Sequence, residues 1–161
     1  MLAVGGLTAC GDATEADGLP SAGAMYAAVF RQLDLPHGTD GEAAVVYVLE
    51  RKDKPLSLDE QVEVIQELED EFDVRFVDEI EAAAEVGEDG SLGPPVDGSL
   101  VAVGVPKVAD DDDELVVVRA EIMSSADVTE AWQFSLRGVD EVQIVEAAET
   151  EPELLIPAAT P

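Results

Sequence analysis

The order of three segments between residues 42 and 77 limits the possible folds more than any other feature. "EAAVVYVLE" (42–50) is a β-branched apolar run of strand length, apolar at successive positions, and reads as an interior strand. "PLSLDEQVEVIQELEDEF" (55–72) follows and is helical. Ser57 and Glu60 make a capping-box pattern, and Leu58, Val62, Ile65, Leu68 and Phe72 recur as a stripe expected to face the core. "VRFV" (74–77) is a second short strand, and a helical turn is expected over 78–84. Strand, helix and strand in that order predict a crossover that leaves two parallel neighbours.

The flanking segments supply the remaining layers. "SAGAMYAAVFRQL" (21–33) spaces Met25, Val29 and Leu33 four residues apart, with Tyr26 and Phe30 beside them. This predicts an amphipathic helix with Ser21 as N-cap, ended by Pro36, His37 and Gly38. "EVGEDGSLGPPVDGS" (85–99) reads as a loop, with Asp-Gly turns and a proline pair. "LVAVGVPKV" (100–108) is a strand that bends or ends near Gly104 and Pro106. "LVVVRAEIM" (115–123) is a long strand. "TEAWQFSLRG" (129–138) alternates Trp132, Phe134 and Leu136 against Gln133, Ser135 and Arg137. "VDEVQIVEA" (139–147) closes a hairpin with its turn near Gly138 and Asp140.

The expected fold class is therefore α+β, with two helices packed on one face of a mixed β-sheet that ends in an antiparallel meander. Cone-shaped folds of the nuclear transport factor 2-like sort have similar ingredients, a likeness of architecture that carries no function. The predicted domain covers residues 21–148, and 149–161, with three prolines and no periodicity, reads as a frayed tail. All seven aromatic residues fall inside predicted elements, which points to packing rather than exposed binding platforms.

Charge excludes several partners. Asp and Glu number 37 against 8 Lys and Arg, a formal net of −29. Phosphate backbones need clustered cations, so no nucleic acid is expected as a partner, and anionic lipid is repelled for the same reason. Solvation is the simplest role for such acidity; cations or a basic protein are the partners it could attract. The helix at 55–72 carries Asp59, Glu63, Glu67 and Glu71 at four-residue spacing, each like-charge pair costing about 0.2–0.5 kcal/mol.

The single cysteine, Cys10, ends an uncharged stretch, and an acidic one (Asp12, Glu15, Asp17) follows it. Leu7-Thr8-Ala9-Cys10 resembles the lipobox of bacterial lipoproteins, where a Leu and two small residues precede an invariant Cys at the end of the signal peptide. The resemblance covers about ten residues. It implies that the Cys10 sulfur takes a diacylglyceryl group through a thioether, that cleavage makes Cys10 the first mature residue, and that the protein is held at the extracytoplasmic face of the cell membrane. Residues 1–9 are then a truncated signal peptide and 10–20 a flexible acidic tether. No Lys or Arg precedes Cys10, whereas a secretory signal wants positive charge and a longer apolar region, so the true translation start is expected upstream.

Chemistry-bearing patterns are sparse. One cysteine excludes an internal disulfide and any multi-thiolate metal site. His37 is the only histidine and sits in a loop start, where a solvated role is expected. No phosphate loop or dinucleotide fingerprint is present, and no cofactor is implied. Asp110, Asp111, Asp112, Asp113 and Glu114 concentrate the oxygen donors that calcium prefers, but Leu115 stands where a calcium loop needs glycine. These five are weak metal candidates, and a solvated hairpin turn is the expected role. The expected function is a lipid-anchored surface protein, a binding or spacer module without catalysis. The alternatives are a small hydrolase whose site forms only in the fold, or an acidic cytosolic protein of a salt-adapted cell.

Overall fold

The computed structural model describes residues 19–154 except 37, 39, 52, 53, 90, 96, 97, 126, 127, 139 and 140, and gives the backbone alone at 92, 124, 125, 128 and 129. In chain order the elements are α1 (Ala22–Gln32), β1 (Ala44–Leu49), α2 (Leu58–Leu68), β2 (Phe72–Val77), a 3-10 turn (Ile80–Ala82), β3 (Ala84–Val86) and β4 (Leu92–Pro95). The chain continues through β5 (Ser99–Val103), β6 (Lys107–Ala109), β7 (Asp112–Ser125), β8 (Val128–Arg137) and β9 (Gln143–Glu149). The main sheet runs β2-β1-β5-β7-β8-β9, with β6 also paired to β7. β1 is parallel to β2 and β5, and every pairing from β5 onward is antiparallel. The protein is α+β with a mixed sheet ending in a meander, as its sequence predicts.

Both helices lie on one face. Met25, Tyr26, Val29 and Phe30 of α1 bury against Val46 and Val48 of β1, Val101 and Val103 of β5, Val116, Val118, Ala120 and Ile122 of β7, and Phe134 and Leu136 of β8. Ser21 caps α1, its hydroxyl accepting from the Ala24 N–H. The helix stops at Gln32, earlier than the Pro36–Gly38 breaker. Leu33 is already extended, and Leu35, which the following proline disfavours in a helix, enters the core at 2% exposure. Trp132 and Phe76 are half-buried at the margin of this core, and the other five aromatic residues are buried.

Three expectations are corrected or extended. First, residues 85–99 are not all loop: β3 and β4 form a two-stranded antiparallel ribbon. Its prolines fall in a short strand on the edge of this ribbon, where a missing N–H costs little. The preceding Ala83 and Ala84 bury against Tyr47, Leu100, Ala102 and Met123 on the opposite face of the main sheet. Second, the strand over 100–108 ends beside Gly104 as expected, but a further strand, β6, resumes at Lys107. Gly104 still donates to the Arg119 carbonyl at 2.8 Å, but Pro106 has no N–H to continue the ladder, and pairing with β7 resumes only at Lys107. Third, the chain does not fray at Glu149. β9 includes that residue, Thr150 donates to the Ala131 carbonyl at 2.9 Å, and Leu154 packs on the second face. Leu19 likewise packs on the first core, so the ordered domain begins before Ser21.

One glycine is required for the parallel pair. Gly98 has φ +73°, and a Cβ there would lie 2.0 Å from the Val45 carbonyl oxygen, so β5 enters beside β1 only with glycine at this position.

Candidate functional site

The helix α2 departs most from its expected orientation. Ser57 and Glu60 form the predicted capping box, with Ser57 N donating to Glu60 Oε2 at 2.7 Å and Glu60 N donating to Ser57 Oγ at 3.2 Å. The side that faces the core carries Val64 and Leu68, both fully buried; of the predicted stripe Leu68 and Phe72 are buried, whereas Leu58, Val62 and Ile65 are not. Leu58 is 77% exposed, Val62 49% and Ile65 39%. Two features accompany this rotation. It ends at Leu68, and Phe72, still buried in the same core, belongs to β2. The carboxylate ladder also turns toward α1. Ser21 Oγ donates to Glu63 Oε1, Arg31 Nε donates to Glu71 Oε1 at 2.8 Å, and Arg31 Nη2 donates to the Glu67 carbonyl. Gly23 permits this approach, since a Cβ there would meet the Glu63 carboxylate at 2.4 Å. The ladder that reads as pure repulsion in the sequence thus has a cation from the neighbouring helix.

A small cleft opens at the carboxyl ends of β1 and β5, the place where ligands commonly bind in sheets with parallel strands. Tyr26, Glu50, Arg51, Lys54, Leu56 and Val105 are among its lining residues. Glu50 accepts from Gln61 Nε2 of α2 at 2.5 Å. Its carboxyl is held above the ordinary carboxylate range, first by partial burial, then by the charge of Asp78 and a hydrogen bond shared with it. Tyr26 is buried and its phenol is pushed far up by desolvation, with Glu60 adding to the effect; its hydroxyl donates to the Gly104 carbonyl at 3.5 Å. The volume is about 20 Å3. That admits a single water, against roughly 300–1,000 Å3 for a small-molecule site. A water there would meet the Glu50 carboxyl as a hydrogen-bond partner. A hydrogen-bonded pair is also far closer than the roughly 5–9.5 Å that glycoside hydrolysis requires.

The acidic run lies between β6 and β7. Asp110 and Asp111 form the turn, Ala109 pairs with Asp112, and Asp112 Oδ1 accepts from the Glu114 N–H at 3.1 Å. Arg137 of β8 pairs with Asp112 and approaches Glu114 at 3.8 Å. Asp110, Asp111, Asp113 and Glu114 are exposed. Among the described residues no group of three His, Cys, Asp or Glu is arranged to hold a metal ion. Cys10 and His37 lie outside the described residues.

A further carboxylate could not be singled out from the sequence. Glu121 of β7 is 3% exposed, and its Oε1 accepts from the backbone N–H groups of Glu153 and Leu154. Arg119, two residues away on the same face, pairs with Glu153. Together they fasten the C-terminal segment across the sheet. An acid at an alternating strand position, flanked by Ala120 and Ile122, was the available signal.

No protein-family model, curated protein or solved structure matches this chain. Its function therefore has to be argued from its own residues.

Proposed function

We propose that this chain is a lipid-anchored protein of the extracytoplasmic membrane face, in which Cys10 carries the lipid and the α+β domain is a binding or spacer module without catalysis. The observation that carries the reading is Leu7-Thr8-Ala9-Cys10, with the only thiol of the chain at the border between an uncharged segment and an acidic one. Two acyl chains hold a protein stably, at about 0.8 kcal/mol per buried methylene, where one chain is marginal. Among the described residues no helix is long and apolar enough to cross a membrane.

Geometry sets how far the domain stands from its anchor. Leu19, the first described residue, packs on the core, and the nine steps from Cys10 to it reach about 30 Å at full extension. A formal net charge of −29 repels anionic headgroups, so the domain is held off the surface and presents itself to the surroundings. Cations or a basic protein are the partners that such a field draws in.

Fractionation of cells expressing the wild-type gene or Cys10→Ala tests the reading. The wild-type protein is expected in the membrane fraction and the detergent phase, and the variant in the aqueous phase. Equal partitioning of the two would remove the anchor.

A further inference from the structure

We propose that the outer face of α2 is the docking surface for a basic, amphipathic protein segment. This deepens the reading of a surface binding module and rests on it for where the partner is met. Leu58, Val62 and Ile65 stand at i, i+4 and i+7, which places them on one strip of the helix, and all three are exposed. Single exposed apolar residues are ordinary, but a strip of three along one helix is the pattern of a helix-packing surface. Leu58 and Glu67 are about two and a half turns apart. The strip therefore points away from the side of α2 that Ser21 and Arg31 occupy.

Charge selects the occupant. Glu69, the C-cap, continues the line of the strip, Asp59 borders it on one side, and Asp70 follows in the turn; all three are exposed and form no ion pair among the described residues. The last turn of α2 has no basic residue of its own, so Glu69 and Asp70 crowd the negative end of the helix dipole. A second copy of this chain would set the same carboxylates against one another and bring two charges of −29 together. An anionic lipid surface fails for the same reason. A segment with an apolar ridge bordered by Lys or Arg buries the strip and neutralises its rim in one contact.

The test uses the full chain and a labelled peptide of about 18 residues made of Leu and Lys, with leucines at helical spacing. An isomeric peptide of the same composition in scrambled order is the control for charge alone. Fluorescence anisotropy near physiological salt is expected to show the ordered peptide binding about tenfold tighter or better than its isomer. The triple variant Leu58→Ser, Val62→Ser, Ile65→Ser keeps every charge and is expected to lose about that tenfold preference with an unchanged melting curve. In the wild type, hydrogen exchange should slow over 58–65 when the peptide binds. Equal affinity of the two peptides, or of wild type and triple variant, would overturn the proposal. So would a wild-type dimer that the triple variant fails to form, which would assign the face to self-association. Cys10→Ala is expected to bind as wild type does, so a failed anchor and a failed docking face give different results.

Discussion

The two sides of α2 differ in what holds them. On the inner side Val64 and Leu68 are sealed against α1 and β2, and Gln61 donates to both Glu50 and the Leu56 carbonyl. On the outer side Leu58, Val62 and Ile65 have the same chemistry and helical spacing but remain exposed, Leu58 most and Ile65 least. Hydrophobic periodicity is therefore blind to which of two apolar strips on one helix is buried. What decides is the neighbour: burial of Val64 and Leu68 against α1 and the sheet outweighs the half-exposed contacts that Ser21 and Arg31 make with Glu63, Glu67 and Glu71, which agree with the same rotation.

The largest expected contrast is in stability. Leu68→Ala should lower the unfolding free energy by about 2–5 kcal/mol, since it removes methyl groups from a fully buried site. Leu58→Ala should stay within about 0.5 kcal/mol of wild type. Urea titration of both variants checks this, and similar losses at the two positions would break the comparison.

A smaller effect is expected at the hinge between the two sides. Arg31→Ala removes the cation facing Glu67 and Glu71, groups that are about half exposed, so the loss should fall below about 1 kcal/mol. The difference between Arg31→Ala and wild type should shrink as salt is added. Both proteins should nevertheless melt higher in salt or divalent cation, because the net charge of −29 repels itself. Thermal melts across a salt series separate the two trends, and a flat wild-type response would contradict the second.

The smallest effect lies where α2 meets the cleft. The carboxyl of Glu50 is raised by burial and by Asp78, so its neutral form is favoured in the folded chain. A raised folded value means that this contribution is present at low pH and is lost as pH rises through the shifted range. Glu50→Gln, which can still accept from Gln61, should therefore melt slightly above wild type at neutral pH and converge with it in acid. Melting curves at several pH values check the sign; a variant less stable at pH 7 would show that the carboxylate is a net asset.

Local signals were readable because they depend on neighbours in sequence. The Ser57–Glu60 box, the Ser21 cap, the parallel β1–β2 pair and the β8–β9 hairpin all follow from short-range pattern. What escaped depends on distant partners. The β3–β4 ribbon pairs through Pro95, a residue that argues against strand, and it is positioned by Ala83 and Ala84 burying on the far face of the sheet. Glu121 reads as one acid among 37, and only the return of residues 153 and 154 gives it a task. Of the candidate sites, the acidic turn at 110–114 could be placed from sequence, whereas the outer face of α2 could not, because its residues match a core stripe.

Membrane attachment through one sulfur atom is the claim on which the account of function depends, and it can be weighed directly. Intact-mass and peptide mass spectrometry of the protein isolated from membranes should find a chain that begins at Cys10 and carries a thioether-linked diacylglyceryl group. A mature chain that retains residues 1–9 with a free thiol at Cys10 would contradict it.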